Sequence, residues 1–471
     1  MVLTTGHIIG IVSGLLLITA VGIYSGKKVK SDRDFAVGGR QASARLISGA
    51  LMGTLVSGAA TVGTAQLAFQ FGFSAWWFTL GGGIALAVLG VFMARSFWES
   101  KVETLPQYLA KTYSPAIGPI STIFTSIGIY FSMMAQILAF TALMTSMFSL
   151  HPMVAASIGL LLTLAYVFFG GVWGAGMVGT IKLTLLYISS VTCGVTAYYL
   201  VGGWTGLQIH FPNHYPWWSL FGRGFSKDAA AGFSLLVGVL STQTYVQYIV
   251  SAKSVKAARR GAVAAGILMP PIGIAGILVG LYMRAYFPDT PSTEVLPIFV
   301  LKFLPPILAG IVLSTLLITA IGGWAGLTLG ISTMMTKDIY KKFFRPKASD
   351  QETLMAQRVL IFITSAIGLI FVAGNFGSLI LGWSFLSMGL RGCTVLFPML
   401  GAMFLPRLVT PMAGIVAALL GPLTDFIWYL LFPKGLDPLY PGLAVSLLAL
   451  IAVSAMSRKR KAVLEESLLV R

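Results

Sequence analysis

Charge is what this sequence has least of. Only 10% of its 471 residues are charged, and acid is the scarcer sign, with 14 Asp and Glu against 32 Lys and Arg. A soluble domain needs roughly a quarter of its residues charged to stay in water, so a water-soluble globular fold is excluded. Cysteine is nearly absent as well. Cys193 and Cys393 both fall inside apolar stretches, which reads as two small core residues rather than a disulfide or metal pair. The four histidines, His7, His151, His210 and His214, carry no metal-ligand spacing. No Walker loop, His-Glu-x-x-His motif or nucleophile elbow occurs. The stretches between apolar segments are too short for a nucleotide-binding domain, which speaks against a membrane enzyme and an ATP-driven pump. No cofactor is called for.

Apolar length, by contrast, is abundant. Hydrophobic residues make up 56% of the chain and the mean hydropathy is +0.87. A helix crossing the bilayer needs about 20 mostly apolar residues, because lipid offers no partner for unpaired backbone groups. About thirteen segments qualify, near 7–24, 45–71, 75–97, 116–148, 152–169, 174–201 and 229–251, then 261–286, 306–335, 358–373, 378–405, 411–431 and 441–456. The expected fold class is all-α integral membrane, one domain over 1–471 with a short charged tail at 457–471.

Lysine and arginine set the expected orientation. One set of alternate gaps carries Lys27, Lys28, Lys30, Arg33, Arg40, Arg45, Arg95, Lys101 and Lys111. The same side holds Lys253, Lys256, Arg259, Arg260, Lys337, Lys341, Lys342, Arg345, Lys347, Arg358, Arg407, the run Arg458–Lys461, and Arg471. The other side has only Arg223, Lys227, Arg284, Lys302 and Lys434. The expectation is an inner (cell) membrane protein with its N-terminus outside and its C-terminus cytoplasmic. The net charge of +18 then holds loops beside anionic lipid; no stripe of basic and aromatic residues suggests nucleic acid. Basic residues follow the first apolar segment rather than precede it, against a cleaved signal peptide.

A channel, a receptor and a secondary transporter remain. Transporters of the last class place solute near the bilayer midplane, at helices that break. The second segment, from Ser48 to Thr61, is crowded with small and hydroxylated residues. That fits a broken helix, and equally close packing through small residues.

Short motifs add to this. The run Asp34-Phe35-Ala36-Val37-Gly38-Gly39-Arg40 after the first segment, and Gly170-Gly171-Val172-Trp173 between the fifth and sixth, resemble sequences of the sodium:solute symporter family. The run from Gln247 to Arg260 is similar to the family's end of the seventh helix, and Lys337-Asp338-Ile339-Tyr340-Lys341 to the close of the ninth. The motifs occur in family order over nearly the whole chain, and the pattern resembles that of the family's proline symporters. The resemblance implies thirteen helices around a LeuT-like core of two inverted five-helix repeats, here approximately 45–201 and 229–405. The peripheral helices would be approximately 7–24, 411–431 and 441–456. It also implies a second and a seventh helix unwound midway, the latter at Gly238–Gln243, and a short loop helix near Glu103–Leu109.

Departures from the family pattern matter most. Family sodium sites use backbone carbonyls of the second helix, and a carbonyl plus two adjacent hydroxyls of the ninth. Gly53, Val56 and Thr319 keep the carbonyl positions, while the hydroxyl positions fall on Gly322 and Gly323. An aspartate of proline symporters is Leu55 here, beside a matching Ser57. In the sixth helix, Val178, Gly179 and Lys182 replace the Thr-Asp pair and glutamine often found in relatives. An intramembrane lysine is costly and seldom idle. One reading puts the Lys182 amine where sodium would sit, with proton coupling or none, since a buried amine exchanges its proton readily. The other lets Lys182 snorkel to the interface.

The remaining polar candidates are Ser57, Gln136, Ser241, Gln243 and Arg391, with Gln243 favoured for substrate. Arg391 would either hold a substrate carboxylate bidentately or brace core carbonyls. Asp425 reads as structural, Trp76 and Trp77 as belt anchors, and Trp324 as a residue that narrows the cavity. The expected function is a secondary active symporter importing a small polar or anionic solute by alternating access. Its coupling ion would be sodium or, given Gly322, Gly323 and Lys182, a proton. Its partners would be the solute and membrane lipid, with no metal beyond a sodium ion. The alternatives are a sodium-independent uncoupled carrier and a solute-sensing membrane protein; no kinase or receiver domain follows Met456, against the sensor.

Overall fold

A computed structural model of the chain describes residues 3–26, 40–211, 215–432 and 435–469. The motif residues 34–39, with Lys27, Lys28, Lys30, Arg33, His214, Lys434 and Arg471, lie outside the described residues, as do the side chains of Trp173 and Val178.

Helix dominates because each backbone group in lipid must be bonded within its own segment. The first elements are α1 (Thr5–Gly26), α2 (Ala44–Leu55) and α3 (Thr64–Phe71), the last entered through a wide turn at Ala59–Gly63. Next come α4 (Trp77–Val88), α5 (Ala94–Ser100), α6 (Leu105–Thr112), α7 (Ile117–Phe148), α8 (Pro152–Leu200) and α9 (Gly203–His210). The second half holds α10 (Phe225–Leu240), α11 (Gln243–Val250), α12 (Val255–Leu268), α13 (Pro270–Tyr286) and α14 (Val295–Phe303). It closes with α15 (Pro306–Met334), α16 (Asp350–Asn375), α17 (Ile380–Phe404), α18 (Pro411–Leu431) and α19 (Leu439–Leu469).

Among the described residues nine helical runs are long and apolar enough to cross a membrane, or ten with the bent pair α10–α11. Shorter apolar helices at Thr5–Leu17, Ala44–Leu55 and Pro152–Ala165 coincide with three further expected spans. The sequence pattern did not anticipate α9 and α14, each too short to span, or the helical continuation of α19 through most of the expected tail.

Helix α8 runs unbroken over 49 residues where two spans were expected. Its contacts are not those of a straight rod. A Cβ at Gly159 would stand 3.0 Å from the Trp324 ring, while Lys182 reaches the Thr319 carbonyl at 3.3 Å. Thr319 and Trp324 are about 8 Å apart on α15, yet the 23 steps from Gly159 to Lys182 would cover about 35 Å of straight helix.

The expected breaks are present. Helix α2 stops at Val56 (φ −83°, ψ 86°), and α10 gives way to α11 across Ser241 and Thr242 with a bend of 45°. The segments beyond them are stitched together on the basic face. Ala42 and Ala252 pair through Ala42 N–H to Ser251 O (2.9 Å) and Lys253 N–H to Ala42 O (3.0 Å). Arg40, the last residue of the first motif, lies 4.8 Å over the Trp98 ring, whose N–H donates to Ala252 O at 2.7 Å. Trp76 and Trp77 are tied inward, donating to the carbonyls of Pro270 (3.0 Å) and Leu220 (2.7 Å).

Small residues let α1 approach α15 backbone to backbone. A Cβ at Gly310 would stand 2.9 Å from Gly10 Cα and 3.0 Å from Ile11 N, and main chain cannot yield as a side-chain tip can. Gly310→Val is therefore expected to cost about 1–3 kcal/mol through overpacking and to lower the melting temperature in detergent, with α1 prised from α15. A thermostability scan of the purified variant checks this, and an unchanged transition would refute the close approach.

Candidate functional site

The site begins with a missing helical bond. In a continuous helix the Ser57 amide would bond the Gly53 carbonyl, four residues back. Here Ser57 N–H turns to Leu55 O at 3.1 Å, so Gly53 O is released. Lys182, 1% exposed, fills the gap: its Nζ donates to Gly53 O and also to Thr319 O at 3.3 Å. The ammonium is buried between α2, α8 and α15 and does not snorkel. A Cβ at Gly322 would stand 3.2 Å from Nζ, so the missing side chain is part of the room the lysine occupies.

The amide on the far side of the break is satisfied separately. Ala59 N–H, which would bond Leu55 O in an unbroken helix, donates to Gln136 Oε1 at 3.3 Å. Gln136 Nε2 donates to Ser132 O at 3.4 Å. Gly323 lies against this pair, its Cβ position 3.0 Å from Ser57 Oγ and 3.2 Å from Gln136 Cδ. Gly53, Thr319, Gly322 and Lys182 thus form one cluster, and Ser57, Gln136 and Gly323 an adjoining one. Val56 is wholly buried at the break itself.

The second break is held by Arg391 of α17, which is fully buried. Its Nη1 donates to Thr242 Oγ1 at 2.6 Å, its Nε to Ser387 O at 3.0 Å and its Nη2 to Ser387 Oγ at 2.9 Å. Thr242 Oγ1 in turn donates to Gly238 O at 2.5 Å. Ser387 Oγ donates to Gly128 O of α7, about 12 Å along that helix from Gln136. The guanidinium therefore braces the core around the break. Ser241 Oγ, beside it, is buried without a hydrogen-bond partner. Among the described residues no carboxylate lies within ion-pair distance of Lys182 or Arg391.

Two expected residues point elsewhere. Gln243 accepts from Leu105 N at 2.7 Å and donates to Glu103 O at 3.0 Å, so its amide clamps the loop before α6 instead of facing a solute. Trp324 donates to Ser365 Oγ of α16 at 3.1 Å and packs between α8 and α16 rather than narrowing a cavity at the breaks.

Sequence reasoning missed the bonds around these breaks. Thr54 Oγ1 and Tyr248 OH lie 2.9 Å apart and join α2 to α11; Thr244 Oγ1 donates to Gly326 O of α15 at 3.2 Å. Asp338 accepts from Thr104 Oγ1 (3.1 Å) and Thr122 Oγ1 (3.3 Å), and Lys337 pairs with Glu103 at 3.0 Å. With Gln243 they form a latch on the basic face. The only signal was that Asp338 stands in a recurring motif.

The family model described as the sodium:solute symporter family matches residues 35–421. The sodium/proline symporter of Haemophilus influenzae is 25% identical over 95% of this chain and 93% of its own length. Sodium/glucose cotransporter 4 of Danio rerio is 23% identical over 76% of this chain, which spans 61% of that longer protein. A solved Na+-coupled sialic acid symporter, in a substrate-bound outward-open state, superposes with a TM-score of 0.79 over 96% of this chain and 98% of its own, at 17% identity. That likeness establishes the LeuT-like fold.

Thr242→Val keeps the shape of the second break but leaves the Arg391 Nη1 N–H facing a methyl group. An orphaned buried donor costs about 1–3 kcal/mol, so the melting temperature is expected to fall, with Thr242→Ser restoring it. A Thr242→Val protein as stable as wild type would show that the bridge carries no load.

Proposed function

The chain belongs to the sodium:solute symporter family, and on that premise we propose that it imports a small polar or anionic solute with the Lys182 ammonium standing where a sodium ion would bind. Membership makes it a membrane-embedded secondary active solute:cation symporter; the solute class and the ion are our reading. The observation that carries it is the Lys182 Nζ bonded to the carbonyls of Gly53 and Thr319. Sodium, as a hard cation, takes several oxygens in place of its hydration shell. At this point the chain supplies two carbonyls, no hydroxyl at 322 or 323, and a tethered amine.

Two consequences follow for mechanism. An internal ammonium offers a positive charge at the site without an ion to bind or release, so coupling passes to proton exchange on Lys182 or is lost. Lys182 and Arg391 also leave two buried positive charges without an acidic partner among the described residues, which favours an anionic group on the solute. Ser241 Oγ, Ser57 and Gln136 are the polar groups beside the breaks that would complete such a site. In the proposed orientation the latch of Gln243, Asp338 and Lys337 lies on the cytoplasmic side and opens when solute is delivered there.

The test is ligand-induced thermal stabilisation of the purified protein across a solute library, in sodium and in choline buffer at two pH values. Stabilisation indifferent to sodium is expected. Uptake of the solute so found into proteoliposomes is expected to follow pH and to lose that dependence in Lys182→Ala. Sodium-dependent stabilisation of the wild type would overturn the reading. A Lys182→Ala protein with unchanged pH dependence would remove the proton and leave an uncoupled carrier.

A further inference from the structure

A second polar site lies away from the two breaks. Between α10, α17, α18 and the loop before α19 there is a cavity of about 210 Å³. Asp425 of α18, 1% exposed, forms part of its wall. The Asp425 Oδ2 has no hydrogen-bond partner, and its Oδ1 has only the Cys393 thiol at 3.9 Å. Among the described residues no lysine or arginine lies within ion-pair distance of it. An unpaired buried carboxylate costs several kcal/mol even after relaxation.

The other charges of this wall are already engaged. Arg223 forms an ion pair with Asp228, its Nε donating to Oδ1 at 2.7 Å and its backbone N–H to Oδ2 at 2.8 Å. Asp437 accepts from Leu439 N at 3.1 Å; burial raises its carboxyl above the usual range, and Leu439 N–H, Arg223 and Lys227 counter the shift. Lys227 is exposed at the rim. The local basic residues thus serve Asp228 and Asp437, and Asp425 is left over.

We propose that this cavity binds a small organic ammonium ion, its N–H donors on Asp425 and its apolar part against the rings of Tyr429 and Phe432, which also line it; the Phe385 ring is already covered by the Arg223 guanidinium at 5.5 Å. Charge and size select this class. An anion would face two carboxylates, with Arg223 of the same wall already paired to Asp228, and a neutral guest could donate a hydrogen bond to Asp425 but would leave its charge unneutralised. A bare metal ion needs a cage of oxygens, and among the described residues no cluster of three or more potential ligands exists. The volume also far exceeds the roughly 30 Å³ of one water. Aromatic walls suit a cation, through their negative faces.

The test is calorimetric titration of the full-length protein in lipid nanodiscs with benzylammonium, and separately with benzyl alcohol and benzoate. Benzylammonium is expected to bind at least about tenfold more tightly than benzyl alcohol, the worth of one charge-assisted hydrogen bond. Asp425→Asn should abolish that preference. Should that variant not fold, Leu436→Trp, at a half-exposed position in the wall, fills the cavity without touching the acid and should block binding. Equal affinity for benzyl alcohol or benzoate, ammonium binding unaltered in the variants, or no binding to the wild type would each overturn the assignment.

Discussion

A carbonyl released inside a membrane protein must find a donor, because hydrocarbon supplies none. That constraint organises this core. Breaking the second helix frees Gly53 O and Ala59 N–H, and side chains from two other helices take them, Lys182 and Gln136. At the other break Arg391 binds the Thr242 hydroxyl. In each case a polar group that would be a liability alone becomes the partner of a backbone or hydroxyl group that would be a liability alone. The costs cancel only when both are present, so the breaks and their fillers form one design.

The same bonds bear on how the core moves. The latch of Gln243, Asp338 and Lys337 consists of a handful of hydrogen bonds and one ion pair, each worth about 0.5–1.5 kcal/mol net in stability. Together they tie the loop before α6 to α11 and to the segment after α15 by a few kcal/mol, an amount that differential binding of a ligand can overcome. The bonds of Lys182 and Arg391 are a different matter. They involve buried charges without counter-ions among the described residues, and removing a partner exposes the full desolvation cost. Motion is therefore expected to exchange the latch and leave the fillers in place.

Much of this was legible in the sequence because apolar length and basic loops are read directly. The spans, the short loop helix and the seventh-helix break came from those signals and from family motifs. What failed was direction. In α15 every residue from Val312 to Met334 is buried, so no polar face reveals how the helix is rotated; Trp324 was placed toward a cavity it does not face. Gln243 failed for a related reason. A glutamine beside a break is known to be buried and polar, but its two polar atoms reach whichever partner a few ångströms of side chain allow, here the main chain of Glu103 and Leu105. Asp425 was legible as a buried acid, yet its lack of a counter-charge depends on three elements meeting in space.

Positions 182 and 322 also constrain each other. With lysine present, any side chain at 322 begins 3.2 Å from its ammonium, so a hydroxyl there would crowd the charge it might otherwise bond. With lysine absent, Gly53 O has no donor, and an unsatisfied buried carbonyl costs about 1–3 kcal/mol unless an ion arrives. Either intermediate is penalised. The two self-consistent states are hydroxyls with a bound cation, or glycines with a built-in one. Gly323 extends the second state, because the space its missing Cβ leaves is taken by Ser57 and Gln136. On the proposed reading the Gly-Gly pair and the lysine belong together: the glycines make room for a tethered ammonium where a free cation would otherwise bind.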